Sequence, residues 1–241
     1  MDRKNFYKKY LNKVIKNKNA TILVLAGGSL DKKVFSESGY KNVTISNLDS
    51  RMDSNQYSPY KWSYQNAENL SFADCQFEFT VIHAGLHHCR SPHKALLEMY
   101  RVSQKGVLSF ESKDSFFMRI ALKLKLIYQY ELPAVFFNDM KYGGLNNSEI
   151  PNFVYRWTEN EIEKVINTYA PYSKHKVTYF YGISIPKLKE KFLLKKIFIF
   201  ILQIFLKLIP NNQGNLFGFF IEKPDSKSKL LPWIMNENET L

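Results

Sequence analysis

The sequence predicts an α/β fold on a doubly wound, mostly parallel sheet, and three observations carry that reading. Phe77–Ile82 is dominated by aromatic, apolar and β-branched residues, the composition of a strand buried on both faces. The run breaks at Ala84-Gly85, and Ser91-Pro92 then offers an Ncap and N1 pair for a following helix. Upstream, the strand Thr21–Ala26, the turn Gly27-Gly28-Ser29, a short helix from about Asp31 to near Gly39 and the strand Val43–Ser46 read as a βαβ unit. Ligands of open α/β sheets bind at the carboxyl ends of the strands. The loop carrying His83, His87 and His88 is therefore the first place to look for a site.

The remaining elements follow from period and punctuation. Phe6, Tyr7, Tyr10, Leu11, Val14 and Ile15 recur at helical spacing, with lysines on the other face. Residues 50–60 read as loop, and Lys61–Tyr64 as a short strand. The helix from Pro92 to about Val102 turns Leu96, Leu97, Tyr100 and Val102 toward the sheet, and Val107–Glu111 is the next strand. Phe116–Tyr130 reads as a basic, apolar helix. Residues 131–157 have no clear period but are too aromatic for a disordered segment, and they read as a lid over the substrate. Thr158 and Glu161 form a capping-box pattern that opens a helix to about Thr168. Lys176–Ile185 and Asn215–Glu222 read as two terminal strands.

Charge and cysteine usage bound the partners. The 241 residues carry a formal net charge of +12, unevenly placed. Residues 1–19 hold seven basic side chains against Asp2 alone, and residues 187–207 hold six against Glu190. Such clusters suit anionic lipid, nucleic acid or an anionic substrate; biased composition rich in Lys, Asn, Ile and Phe would produce them too. No groove-reading motif is present, so nucleic acid is not expected as a partner. The run Ile197–Leu206 is too short to span a bilayer, which needs about twenty apolar residues. With its basic flanks, a helix over 187–209 could lie in a membrane interface, or pack on the lid or on a second subunit. Two isolated cysteines, Cys75 and Cys89, and the absence of an apolar run behind the N-terminal charges fit a cytoplasmic protein, peripheral at most to the inner face of the membrane. No Cys or His spacing of the zinc type occurs, and no metal is expected on that ground.

Ala67-Glu68-Asn69-Leu70-Ser71-Phe72, then Phe77-Glu78, Leu86-His87-His88, Ala95–Val102 ending in Arg101-Val102, and Lys105-Gly106-Val107-Leu108 occur in a fixed order. This series resembles the class I S-adenosylmethionine-dependent methyltransferases, and more closely their small-molecule, type 11-like branch. The resemblance covers roughly Thr21 to Glu111. It implies a Rossmann-like seven-stranded sheet whose last strand is antiparallel, and S-adenosyl-L-methionine as cofactor. It also implies a single domain over 1–241: an N-terminal helix (1–20), a cofactor-binding core (21–111), a substrate lid and helix (112–170), terminal strands (171–225) with an inserted basic apolar helix (187–209), and a tail (226–241).

The same resemblance implies cofactor contacts from Ala26, Gly27, Gly28 and Asp31 around the first turn, from Asn47, Leu48 and Asp49 behind the second strand, and from Asn66, Ala67 and Glu68. Three acids of the family pattern are neutral here: Ala26, Asn47 and Asn66 stand in their places. His83, at the end of the central strand, reaches the same cleft or packs in the core. His87 and His88 are candidate bases for an acceptor hydroxyl, or shape the cofactor pocket. Glu111 ends its strand where it can orient an acceptor. Tyr142 and Asn146 of the lid, and Arg156 with Trp157 as a clamp, are candidate substrate contacts. The expected function is methyl transfer to a small polar acceptor, with O-methylation of a sugar or glycoconjugate favoured. The alternative is a non-catalytic binding or scaffold protein on the same fold.

Overall fold

The computed structural model describes residues 1–184 and 210–224. Its centre is a sheet of β1 (Ile22–Leu25), β2 (Val43–Asn47), β3 (Lys61–Tyr64), β4 (Phe77–His83), β5 (Ser103–Glu111), β6 (Lys176–Gly182) and β7 (Leu216–Glu222). The strand order is β3-β2-β1-β4-β5-β7-β6. Strands β1 to β5 run parallel, while β7 is antiparallel to both β5 and β6. Chain order reverses between β1 and β4, whose register runs from Ile22 opposite Phe79 to Leu25 opposite Ile82. Their carboxyl ends therefore lie side by side at the topological switch point, where such sheets open a crevice.

Among the described residues seven α-helices accompany the sheet: α1 (Arg3–Val14), α2 (Ser29–Glu37), α3 (Ser54–Tyr57), α4 (Pro92–Val102), α5 (Phe116–Lys123), α6 (Leu132–Phe136) and α7 (Glu159–Tyr169). Strand side chains alternate between faces, so β1 feeds two cores at once. Ile22 and Val24 pack with Tyr7, Leu11, Val34 and Phe35 of α1 and α2. Leu23 and Leu25 pack with Leu96, Met99, Ile162 and Ile166 of α4 and α7. That two-sided demand is why the strand reads as a continuous apolar run.

Caps account for where the helices begin and end. Asp2 caps α1 by accepting from Asn5 N–H, and Ser91 caps α4 by accepting from Lys94 N–H with Pro92 at N1. Thr158 and Glu161 close the capping box of α7. Helix α2 stops in a Schellman motif: Tyr40 N–H reaches Phe35 O, Gly39 N–H reaches Ser36 O, and Gly39 has φ 76°. The same device ends α5 early. Leu126 N–H bonds Ala121 O, Lys125 N–H bonds Leu122 O, and Lys125 sits at φ 56°. The helix expected over 116–130 therefore stops at Lys123. Two further expectations shift: the 50–60 loop contains α3, and the 131–157 stretch contains α6 and a 3₁₀ turn at Leu145–Asn147. Strand β6 ends at Gly182 rather than Ile185. The inserted segment 187–209 and the tail 226–241 lie outside the described residues.

Candidate active site

The crevice floor is made of backbone because two tight turns meet there. Ala26 follows β1 at φ 48° and Ala84 follows β4 at φ 53°, both left-handed conformations that non-glycine residues adopt at a cost. A Cβ on Gly85 would stand 2.6 Å from the Cβ of Ala26 and 2.8 Å from Ile82 side-chain atoms. Glycine at 85 thus lets the two turns touch. Asn47 ties the first turn to β2 by donating from Nδ2 to Gly27 O at 3.1 Å.

Two clefts open above this floor and share Ala84. The first, of about 260 Å³, lies over the ends of β1 and β2. Of the expected cofactor contacts, Ala26, Asn47, Leu48, Asp49, Asn66 and Ala67 line it. Gly27, Gly28, Asp31, Glu68 and His83 do not. Asp31 is buried beneath the turn, accepting from Gly28 N–H at 2.9 Å and from the Tyr7 hydroxyl at 2.9 Å. Burial outweighs those bonds and raises its carboxyl to about 6. Glu68 accepts from the N–H groups of Arg90 and Ser91 and so holds the loop before α4. His83 stacks on Tyr7 with ring centroids 4.8 Å apart and lines the second cleft instead; burial first, then Arg3, pulls it down to about 4.

Asp49, at the end of β2, is paired with Arg51, which donates from Nη2 at 2.6 Å and from Nε at 2.9 Å. The Arg51 guanidinium lies 3.9 Å from the ring centroid of Tyr142. Asn147 Nδ2 donates to Leu48 O at 3.3 Å. These bonds bring lid segment 138–147 over the first cleft, where Asn146, at φ 49°, also lines the wall. Of the two expected substrate contacts, Asn146 thus lines the first cleft and Tyr142 stacks on Arg51 beside it.

The second cleft, of about 340 Å³, is lined by Arg3, His83, His87, Glu131, Tyr128 and Arg156 among others, with Phe6, Phe110 and Phe217 in its apolar wall. Arg156 donates to Val154 O and Tyr128 O and has buried Nε–H without a partner among the described residues. Trp157, expected beside it as a clamp, is instead fully buried in the core, edge-on to His93 and Tyr155, and lines neither cleft. An indole at the start of α7 fills the space between that helix and the sheet, which a solvent-facing ring would leave empty.

At the junction stands the histidine pair, in the 3₁₀ turn Leu86–His88. His87 lines the second cleft and His88 the first. Glu111, at the end of β5, accepts from Gly85 N–H at 2.9 Å, Leu86 N–H at 2.8 Å and His87 Nδ1 at 2.6 Å. Burial favours a neutral Glu111, but His87 and the amide donors outweigh it and keep the carboxyl below the ordinary range. Burial likewise pulls His87 down, yet Glu111 and Glu131 together hold it up at about 9. With only Glu111 and Glu131 beside it, His87 is therefore protonated at neutral pH and in that state is no base for a substrate proton. His88, lowered by burial and by the His87 charge, stays neutral. Glu131 was not anticipated from the sequence. Its Oε2 lies 3.2 Å from His87 Nε2 and 3.4 Å from His88 Nε2, and its hydrogen bond with His87 takes its carboxyl down to about 2. It stands just before α6 in the irregular stretch, where no spacing marks it. Arg51 was missed for the same reason, and Arg3 because only the packing of α1 brings it to the second cleft.

Residues 25–110 match the family described as Methyltransferase domain. No curated protein matches the chain. Solved structures of the same fold include an S-adenosylmethionine-dependent methyltransferase of Thermotoga maritima, described as a possible histamine N-methyltransferase. It is 16% identical, covers 92% of this chain and 89% of its own, and has a TM-score of 0.55. A second, from Archaeoglobus fulgidus, is 11% identical with 92% and 94% covered and a TM-score of 0.54. The plantazolicin methyltransferase, solved with S-adenosylhomocysteine, is 13% identical with 91% and 83% covered and a TM-score of 0.51. At such identities these likenesses establish the fold. The matched block, residues 25–110, makes the core of this chain similar to that methyltransferase family.

Proposed function

We propose that the protein methylates an oxygen of a small polar acceptor, a sugar or glycoconjugate being the class that suits the second cleft. The observation that carries this is the pair of clefts meeting at Ala84, with one histidine of the 87–88 pair on each side. The first cleft suits the cofactor. Its floor is left to backbone by Gly85. In this reading Asp49 and Asn47, which line the cleft, would bond the ribose hydroxyls, and Asn66 and Ala67 would contact the adenine. When bound, the cofactor supplies an electrophilic methyl group for in-line displacement, and the protein positions and desolvates the two reactants.

An acceptor in the second cleft would meet the Arg3 and Arg156 guanidinium groups and the Tyr128 ring, with Glu131 at its inner end and neutral His88 across the junction, in the wall of the first cleft. A carboxylate and an imidazole lone pair can each accept the hydrogen bond of the attacking hydroxyl. His87, fixed by Glu111, keeps the turn in place. The test has two steps. S-adenosylhomocysteine at a hundred times its Kd is expected to stabilise the fold by about 2.7 kcal/mol, read as a rise in Tm. Radiolabelled methyl transfer to a panel of mono- and oligosaccharides then identifies the acceptor. Arg51 already occupies Asp49, and an absent Tm shift at millimolar ligand would favour the scaffold reading instead.

The exposed apolar side chains of residues 116–153 support a second proposal, peripheral contact with anionic lipid. Phe116, Leu124, Leu126, Phe136, Phe137 and Met140 are all more than half exposed, with Arg119, Lys123 and Lys125 among them. No described helix is long and apolar enough to cross a membrane. Sedimentation with vesicles of anionic lipid, lost in neutral lipid or high salt, is the expected result; binding to neither vesicle would remove the proposal.

A further inference from the structure

We propose that the junction of the two clefts binds one divalent cation through His87 Nε2, His88 Nε2 and Glu131 Oε2. The ligand atoms of these three side chains lie within 4.8 Å of one another. The two separations to Glu131 are those of ligands sharing one ion. Glu131 Oε2 stands 3.2 Å from His87 Nε2 and 3.4 Å from His88 Nε2. Two ligands bonded to one ion at ~2.1 Å, at angles between ~90° and ~109°, stand ~3.0–3.4 Å apart. His87 is held on its other side by Glu111 at 2.6 Å. Glu111 thus fixes the ring at Nδ1, while Glu131 faces the Nε2 edges of both rings.

The surrounding bonds orient the set. Ligating histidines commonly give their second ring nitrogen to a carboxylate or a backbone carbonyl, which fixes the tautomer. His87 Nδ1 faces Glu111, and His88 Nδ1 faces Gly144 O at 3.4 Å, so both rings present Nε2 to Glu131. Asn152 touches the same group twice, from Nδ2 to His87 O at 3.2 Å and to Glu131 Oε2 at 3.4 Å. Its Oδ1 is buried without a partner among the described residues.

Two imidazoles and one carboxylate suit Zn²⁺, Co²⁺ or Mn²⁺ and leave coordination positions open, the ion displacing the His87 Nε2 proton to solvent as it binds. The role of the ion rests on the methyl-transfer reading: it would hold and polarise the acceptor oxygen next to the methyl donor. The site itself is tested apart from that reading. Untagged full-length protein, stripped with a chelator, is titrated with Mn²⁺ alone and with Zn²⁺ alone, followed by calorimetry and, for Mn²⁺, by electron paramagnetic resonance. One ion per chain is expected, with affinity at least tenfold weaker in His88→Ala and in Glu131→Gln, and unchanged in His93→Ala. His88 and Glu131 are 28% and 37% exposed, so both variants are expected to fold, which thermal melts verify. No saturable binding up to millimolar ion, or binding unchanged in both variants, overturns the proposal. The S-adenosylhomocysteine shift on the same sample separates the two readings: a shift without ion binding removes the ion alone, and ion binding without a shift removes the methyl-donor reading alone.

Discussion

Single residues at the site show how burial sets charge. Asp31 is fully enclosed, and its carboxyl rises to about 6 because burial disfavours the anion more than Gly28 and Tyr7 favour it. Between its ordinary value and about 6, the folded state binds more protons than the unfolded one. Stability from this group is therefore fully present below the unfolded value and falls as pH rises through about 6. Denaturant melts of wild type and Asp31→Asn across pH 4–7 are expected to diverge in that window, with the wild type alone losing stability toward neutral pH. Glu111 works in the opposite sense. It faces a buried imidazolium and two amide donors, and Glu111→Gln leaves the His87 charge with only the longer Glu131 contact. Breaking a buried pair this way costs about 3 kcal/mol or more at neutral pH, measurable as a lowered denaturant midpoint with an unchanged m-value.

At the scale of elements, turns matter more than propensity. The β1 and β4 turns touch only because residue 85 has no side chain. Gly85→Ala would drive a methyl into the Ala26 Cβ, which has no rotamer to yield, at a cost of about 1–3 kcal/mol. It should also weaken S-adenosylhomocysteine binding, since the displaced turns form the cleft floor; a mutant with wild-type Tm and affinity would contradict this geometry. Helix α7 depends on its capping box rather than on burial of its first turn. Thr158→Ala is expected to cost about 1 kcal/mol, read as a lowered Tm without effect on ligand binding.

For the whole molecule, the N-terminal helix is part of the core and not an appendage. Phe6, Tyr7, Leu11 and Ile15 are each at most 2% exposed, and Tyr7 stacks on His83 of the central strand. Removing residues 1–15 uncovers one whole face of β1, and the truncated chain is expected to lose its cooperative melt by circular dichroism. Arg3 and Phe6 also place this helix in the wall of the second cleft, so one segment both completes a core and bounds the acceptor space.

The sequence by itself determined the strands, the helix caps and the switch point. These depend on near neighbours along the chain: a two-sided apolar run reads as β1 or β4, and Ser91-Pro92 or Thr158 with Glu161 reads as a helix start. The floor of the first cleft was legible for the same reason, since Ala26, Asn47 and Asn66 each follow a recognisable strand or motif. Only the tertiary structure decided what surrounds the histidines. Glu111 and Glu131 reach them across the sheet edge and from the lid, Arg51 leaves its own loop to stack on Tyr142, and Trp157 turns inward beside its outward neighbour Arg156. Such contacts depend on where irregular backbone settles over a finished sheet. Irregular backbone carries no period to read, because its conformation answers to the cavity it closes and not to its neighbours in the chain.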